Sequence, residues 1–184
     1  PAEMLAFYVY EDAVIIGGAL ASCNSEMNNV IAEIIKKKEF VGKLNKNVAL
    51  FTYGKIPANR VMLVGLGKKK DVTPDKVRQA AGTTASVARD MGVREVVTVL
   101  DSIEMPSSAL SEWTQAYAEG CLLAGYNFVR YKEVPPDEKK ELKAMTLLFA
   151  DKEAVSVARN AVRHAQIIAE SVSFARDLIN TPAQ

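Results

Sequence analysis

Several groups of residues in this 184-residue chain have types and spacings that could do chemistry. Gly65-Leu66-Gly67 follows an apolar run and precedes a helix signal. Backbone N–H groups at such a turn can cradle a phosphate. No third glycine stands at the required spacing and no Gly-Lys-Ser/Thr ending follows, so no nucleotide fingerprint is completed. The turn is expected to be a strand-to-helix connection that needs a positive φ, with Lys68-Lys69-Lys70 solvated beside it. His164 is the only histidine. A metal site would need partners, and no carboxylate stands four residues away. A Ser-His-Asp triad would need help that the sequence does not show. His164 is therefore expected at the surface or at the edge of a core.

Glu112 with Glu119, and Glu170 with Asp177, are each seven residues apart, a spacing that puts each pair on one helix face. Solvation or pairing with neighbouring Lys and Arg is the expected fate of all four. Glu170 and Asp177 are also placed to meet a further domain. Cys23 and Cys121 fit no metal spacing and are expected to be reduced and buried, which suits a cytoplasmic protein. The lysine runs at 36–38, 68–70 and 139–140 have no aromatic residues between them. A nucleic-acid groove wants one basic stripe with stacking residues, so solvated helix ends and loops are expected instead. None of these groups makes an active site.

The elements that would position them follow from periodicity and punctuation. Met4 to Tyr10, rich in aromatic and β-branched residues, predicts a strand. Gly17-Gly18 breaks the pattern. Asn24 or Ser25 is expected to cap a helix with the stripe Met27, Val30, Ile31, Ile34 and Ile35, ended by Lys36-Lys37-Lys38. Asn47–Tyr53 and Arg60–Leu66 predict a hairpin across the Gly54–Asn59 turn. Thr73 is an N-cap candidate and Pro74 a first helical residue. The helix they open has the stripe Val77, Ala80, Ala81, Thr84, Val87, Ala88 and Met91, and stops at Gly92. With strands on both sides it forms a βαβ crossover, which predicts two parallel strands. A helix after Pro106-Ser107 carries Ala109, Leu110, Trp113, Ala116, Tyr117, Cys121, Ala124 and Phe128, with Trp113 and Tyr117 in the core. A surface connection around Pro135-Pro136 leads to a strand from Leu142 to Ala150. The longest helix runs from Lys152 to Ile179, with Ala158, Ala161, Val162, Ala165, Ile168, Ala169, Val172, Ala175 and Ile179 at three- and four-residue spacing. The sum is an α/β fold: a three-layer α/β/α domain with a mixed sheet of five or six strands.

Composition narrows the classes. The chain is 49% hydrophobic and 24% charged, ordinary for a soluble domain with a full core, and its formal net charge of +1 gives no global pull toward nucleic acid or acidic membranes. No apolar run approaches the length of a membrane span, and Pro1-Ala2-Glu3-Met4 does not start a signal peptide. The division expected is a domain over 1–150 and a long connecting helix over 151–184, ended abruptly as at a cut between domains.

Three stretches carry a family resemblance. Ala175-Arg176-Asp177-Leu178-Ile179-Asn180-Thr181-Pro182 resembles the A-R-D-L-x-N-T-P segment of the leucyl (cytosol) aminopeptidases, the M17 metallopeptidases. Glu119-Gly120-Cys121-Leu122-Leu123-Ala124-Gly125-Tyr126-Asn127-Phe128 resembles the E-G-x-x-L-x-x-Y-x-F helix of the same family. Val61 to Gly67 is similar to its apolar strand ending in Gly-Leu-Gly, and the resemblance covers most of the chain. Gln184 stands where the family often has asparagine.

The resemblance implies the family's non-catalytic, macro-domain-like N-terminal domain. Ala175, Arg176, Asp177, Leu178, Asn180, Thr181 and Pro182 would form the interdomain motif leading to a C-terminal catalytic domain. The full-length protein would remove N-terminal residues from peptides with two divalent metals, zinc or manganese, and assemble as a homo-hexamer. The family's ligand string, Asn-Thr-Asp-Ala-Glu-Gly-Arg, does not occur in this sequence, so no catalytic, cofactor or metal residue carries over. The competing classes are a stand-alone macro-like module for ADP-ribose or another nucleotide, and a DNA-binding accessory domain. The charge pattern gives nucleic acid little support, and a membrane partner is not expected.

Overall fold

The computed structural model describes residues 2–12, 17–128, 131, 133, 135 and 140–181. Lys139 and Pro182, named above, lie outside them, as do Pro1, Lys132, Pro136 and Gln184. One five-stranded mixed sheet forms the middle layer, built from β1 (Ala2–Val9), β2 (Asn47–Phe51), β3 (Ala58–Gly65), β4 (Glu95–Val99) and β5 (Ala144–Leu148). The strand order is β2-β3-β1-β4-β5. β1 pairs parallel with β3 and with β4, and β4 pairs parallel with β5; β2 returns antiparallel on β3 as the hairpin expected from the sequence.

β1 is central, and its period-two pattern divides the core. Met4, Ala6 and Tyr8 face one side, where they meet Met62, Val64, Val77, Ala80 and Tyr117. Phe7 and Val9 face the other, with Leu20, Cys23, Met27 and Ile31. The first side is covered by α3 (Pro74–Asp90) and α4 (Leu110–Gly125), the second by α1 (Gly18–Glu26) and α2 (Val30–Lys36). The longest helix, α5 (Lys152–Asn180), lies along α4. Its buried side is alanine, at 158, 161, 165 and 169. Such small side chains let two helices approach closely.

The crossover from β3 through α3 to β4 forms as predicted. Thr73 Oγ1 accepts from the Lys76 N–H, Pro74 occupies the first turn, and Gly92 takes a φ of +72° just past the end. The two flanking strands are parallel, with β1 inserted between them.

The expected start of the next-earlier helix needs correction. Asn24 and Ser25 do not open a helix; they lie inside α1, and α2 starts after Asn28 and Asn29, both with φ near +60°. Asparagine tolerates this left-handed region better than most residues. Asn24 is a cap all the same, at a distance. Its buried side chain accepts from the Ala32 N–H at 3.0 Å and donates to Asn29 Oδ1 at 3.0 Å, so it satisfies the first turn of α2 from the helix before.

Candidate functional site

Two of the sequence stretches that carry the family resemblance meet at the joint between α4 and α5. α4 ends at Gly125, and Tyr126 turns the backbone to an extended conformation. Its half-buried ring reaches the last turn of α5. The Tyr126 hydroxyl donates to Asp177 Oδ1 at 2.8 Å, and Asn180 Nδ2 donates to the same hydroxyl at 3.3 Å. The Arg176 guanidinium lies 5.3 Å from the ring centroid, within cation–π reach. Thr181 closes the helix, its hydroxyl donating to the Asp177 carbonyl at 2.7 Å. Partial desolvation, and then Asp177, push the Tyr126 phenol above its ordinary value, so it stays a donor.

Four members of the motif thus act on one tyrosine or cap its helix. Ala175 and Leu178 lie on exposed parts of α5 and take no part in this clasp. Pro182 lies outside the described residues. The arrangement can hold two helix ends together. Its polar groups satisfy one another, so it offers no free base, nucleophile or ligand set.

α3 and α4 are joined deeper in. Glu119 is buried and accepts from Arg78 Nε at 2.9 Å and from Gln115 Nε2 at 2.8 Å, the ion-paired fate expected for it. Glu112 and Glu170 are exposed. Beside Glu119, Gly120 sits against the α3 backbone. A Cβ there would fall 2.1 Å from the Arg78 carbonyl oxygen. The Glu-Gly pair is therefore one device: the carboxylate grips Arg78 of α3 while the glycine lets the backbones touch.

The glycine turn is closed to a ligand. The Gly65, Leu66 and Gly67 N–H groups donate to Lys46, Val9 and Gly42 carbonyls at 2.8–3.0 Å. Only Gly67 has the expected positive φ, +75°. Gly65 is required for space, since a Cβ would stand 2.0 Å from the Lys43 carbonyl oxygen. Lys69 pairs with Glu104, and Lys140 donates to the Asp90 carbonyl at 2.6 Å.

His164 is exposed on α5. Cys23 is buried and Cys121 half-buried, on opposite sides of the sheet, both with free thiols. Burial pushes both thiols up, Cys121 to about 12. Trp113 is only partly buried and packs against the core that encloses Tyr117. Among the described residues no three His, Cys, Asp or Glu side chains group so as to hold a metal ion, and no helix is long and apolar enough to cross a membrane. No step of metal chemistry is assigned to these residues.

Sequence reasoning found the motif stretches but not their meeting, nor the role of Arg78. The signal for Arg78 was available: it lies one turn past the Thr73 cap, on the border of the α3 stripe.

Residues 6–135 match the model of the cytosol aminopeptidase family, N-terminal domain. A probable cytosol aminopeptidase of Geotalea uraniireducens (strain Rf4) is 37% identical over 153 residues, covering 83% of this chain and 30% of that protein. Its counterpart in Trichormus variabilis is 32% identical over 182 residues, 98% of this chain and 35% of that protein. The chain thus spans about a third of the length of these relatives. Among solved structures, a mutant tomato leucine aminopeptidase superposes with a TM-score of 0.80 at 21% identity, over 99% of this chain and 36% of that one. The bottromycin maturation enzyme BotP in complex with Mn gives 0.69 at 23% identity, over 99% and 32%. These two likenesses concern the fold.

Proposed function

This chain belongs to the cytosol aminopeptidase family as its N-terminal domain, and from that premise we propose that it is the non-catalytic assembly and regulatory part of a longer peptidase. The whole protein removes N-terminal residues from peptides in the cytoplasm, acts as a homo-hexamer, and uses two divalent metals, zinc or manganese. A C-terminal catalytic domain carries the metals and the chemistry. The observation that carries this reading is the match of residues 6–135 to the N-terminal domain, in relatives about three times as long.

Residues 1–150 form the domain and 151–184 the helix that leads to the catalytic part. Ala175 to Pro182 are the interdomain motif. The clasp on Tyr126 supports this assignment, because it fixes how α5 leaves the domain. No observation favours the nucleotide-binding or DNA-binding alternatives: the N–H groups of the glycine turn are spent internally, Lys36 ends α2, Lys69 pairs with Glu104 and Lys140 donates to the Asp90 carbonyl.

The test is hydrolysis of a leucine anilide with manganese or zinc supplied. The 184-residue chain is expected to be inactive and the longer protein active. Turnover by the 184-residue chain would overturn its non-catalytic role, and an inactive longer protein would overturn the peptidase reading.

A further inference from the structure

A crevice of about 510 Å³ opens where the connections of the sheet part. β1 and β4 lie side by side and parallel. The chain leaves β1 toward β2 and β3, and leaves β4 toward β5, through helices on opposite faces. Open α/β sheets bind small molecules outside the carboxyl ends of such a strand pair. Here those ends supply Val9 and Tyr10 on one side and Val99 on the other. Leu20 of α1 and Ile35 of α2 complete an apolar wall. The volume is within the ~300–1,000 Å³ of small-ligand sites.

Among the described residues, every polar side chain lining this crevice but one is satisfied. The Tyr8 hydroxyl bonds with Thr84 and Tyr117, and the Tyr10 hydroxyl donates to the Ile103 carbonyl. Ser102 Oγ accepts from the Tyr8 N–H at 3.0 Å and donates to the Val99 carbonyl at 2.6 Å. Glu104 pairs with Lys69. Asp101 Oδ2 accepts from the Ala150 N–H at 2.7 Å, which leaves Oδ1 without a partner among the described residues. The first N–H groups of α1 border the same space and would attract an anion. Two carboxylates share it and no lysine, arginine or histidine lines it, so a phosphate is repelled.

We propose that this crevice binds a compact apolar primary amine, its ammonium on Asp101 Oδ1 and its body against Leu20, Ile35 and Val99. A bond from an ammonium to a carboxylate is roughly twice as strong as a neutral one. The N-terminal end of an aliphatic amino acid or peptide has this chemistry. Asp101 also holds Ala150, beside the Asp151 cap of α5, so an occupant touches the residue that fixes the start of the long helix. The proposal goes beyond the peptidase reading and does not depend on it.

Titration of the isotope-labelled 184-residue chain with isoamylamine, followed by amide resonances, tests this. Saturable shifts are expected at Ala19, Leu20, Ser102 and Ala150. Asp101→Asn should weaken binding at least about tenfold, while keeping an acceptor for the Ala150 N–H and so the fold. Ala19→Phe, which fills the crevice from an exposed position, should abolish binding. Isocaproate, a similar aliphatic body with a carboxylate in place of the amine, should leave these amides unmoved. Leucinamide and leucyl-glycyl-glycine separate the sources: binding of the first alone assigns amino-acid-sized amines, and binding of both assigns peptide ends as well. Absent or unsaturable shifts with isoamylamine would overturn the proposal. So would equal affinity in Asp101→Asn, or isocaproate bound as tightly as the amine. Any of these leaves the peptidase reading standing, and an inactive longer protein leaves the crevice assignment standing.

Discussion

Tyr126 donates a 2.8 Å hydrogen bond to Asp177 across 51 residues of chain, tying the end of α4 to the last turn of α5. Tyr126→Phe removes that bond and the one from Asn180 while keeping the ring under Arg176. The loss is at an exposed helix end, so local opening should change more than global stability. Amide exchange is expected to accelerate at Asp177 to Thr181, with the thermal midpoint nearly unmoved. Exchange that is unchanged there would show that the clasp bears no load.

A second network lies wholly inside. The Tyr8 hydroxyl is 2.7 Å from Thr84 Oγ1 and donates to the Tyr117 hydroxyl at 3.0 Å, and Tyr117 lies 2.8 Å from Thr98 Oγ1. Four hydroxyls from two strands and two helices thus satisfy one another. Burial raises the pKa of both phenols, and it raises Tyr10 to about 12 with Glu104 and Asp12 adding to the effect. A folded-state pKa above the unfolded value near 10 contributes stability that is complete below that pH and is lost as pH rises through the folded values. Stability is therefore expected to fall steeply only above about pH 10, with tyrosinate absorbance from these three residues appearing together with loss of helicity. Phenolate absorbance from them in a still-folded protein would contradict the burial argument. Tyr117→Phe should cost about 1–3 kcal/mol, since Thr98 loses its buried partner.

How far the sequence foretells this molecule depends on the kind of signal. The β3–α3–β4 crossover is legible because Thr73, Pro74 and Gly92 are local punctuation that acts on its own backbone. The break between α1 and α2 is not. Asn24, Asn28 and Asn29 look alike in the chain, yet one is buried mid-helix and two turn left-handed, a difference set by tertiary contacts. The candidate site is half legible. Both motif stretches stand out, but their contact converges on one tyrosine about fifty residues away in sequence, and one distant residue leaves no period to find. The alanine side of α5 follows from its spacing, whereas the exposure of Phe174 depends on what covers it.

The two thiols should be unreactive in the folded protein. The thiolate is the nucleophile, and burial raises Cys23 and holds Cys121 at about 12, so little of either is ionised at neutral pH. Iodoacetamide at mildly alkaline pH is expected to modify both slowly in buffer and rapidly in urea, followed by mass spectrometry. Cys121 alkylated in buffer as fast as a free small thiol would refute its protected state.

Gly120 and Gly125 give opposite predictions although both belong to α4. A Cβ at Gly120 would lie 2.1 Å from the Arg78 carbonyl oxygen and 3.1 Å from Ala81 Cβ, so the helices would have to separate. Because the neighbour is backbone, relief cannot come from a side-chain rotation, and Gly120→Ala should destabilise by about 2–3 kcal/mol. Separation would also stretch the 2.9 Å bond from Arg78 to Glu119. The glycine and the ion pair are therefore coupled: combining Gly120→Ala with Glu119→Gln should cost less than the sum of the two changes, because the first already strains what the second removes. At Gly125 nothing lies within 4 Å of an added Cβ. Gly125→Ala should be neutral or stabilise by up to about 1 kcal/mol through helix propensity. Urea unfolding of the four variants against the parent measures all of this, and a Gly120→Ala protein as stable as the parent would mean that α3 and α4 do not touch at that position.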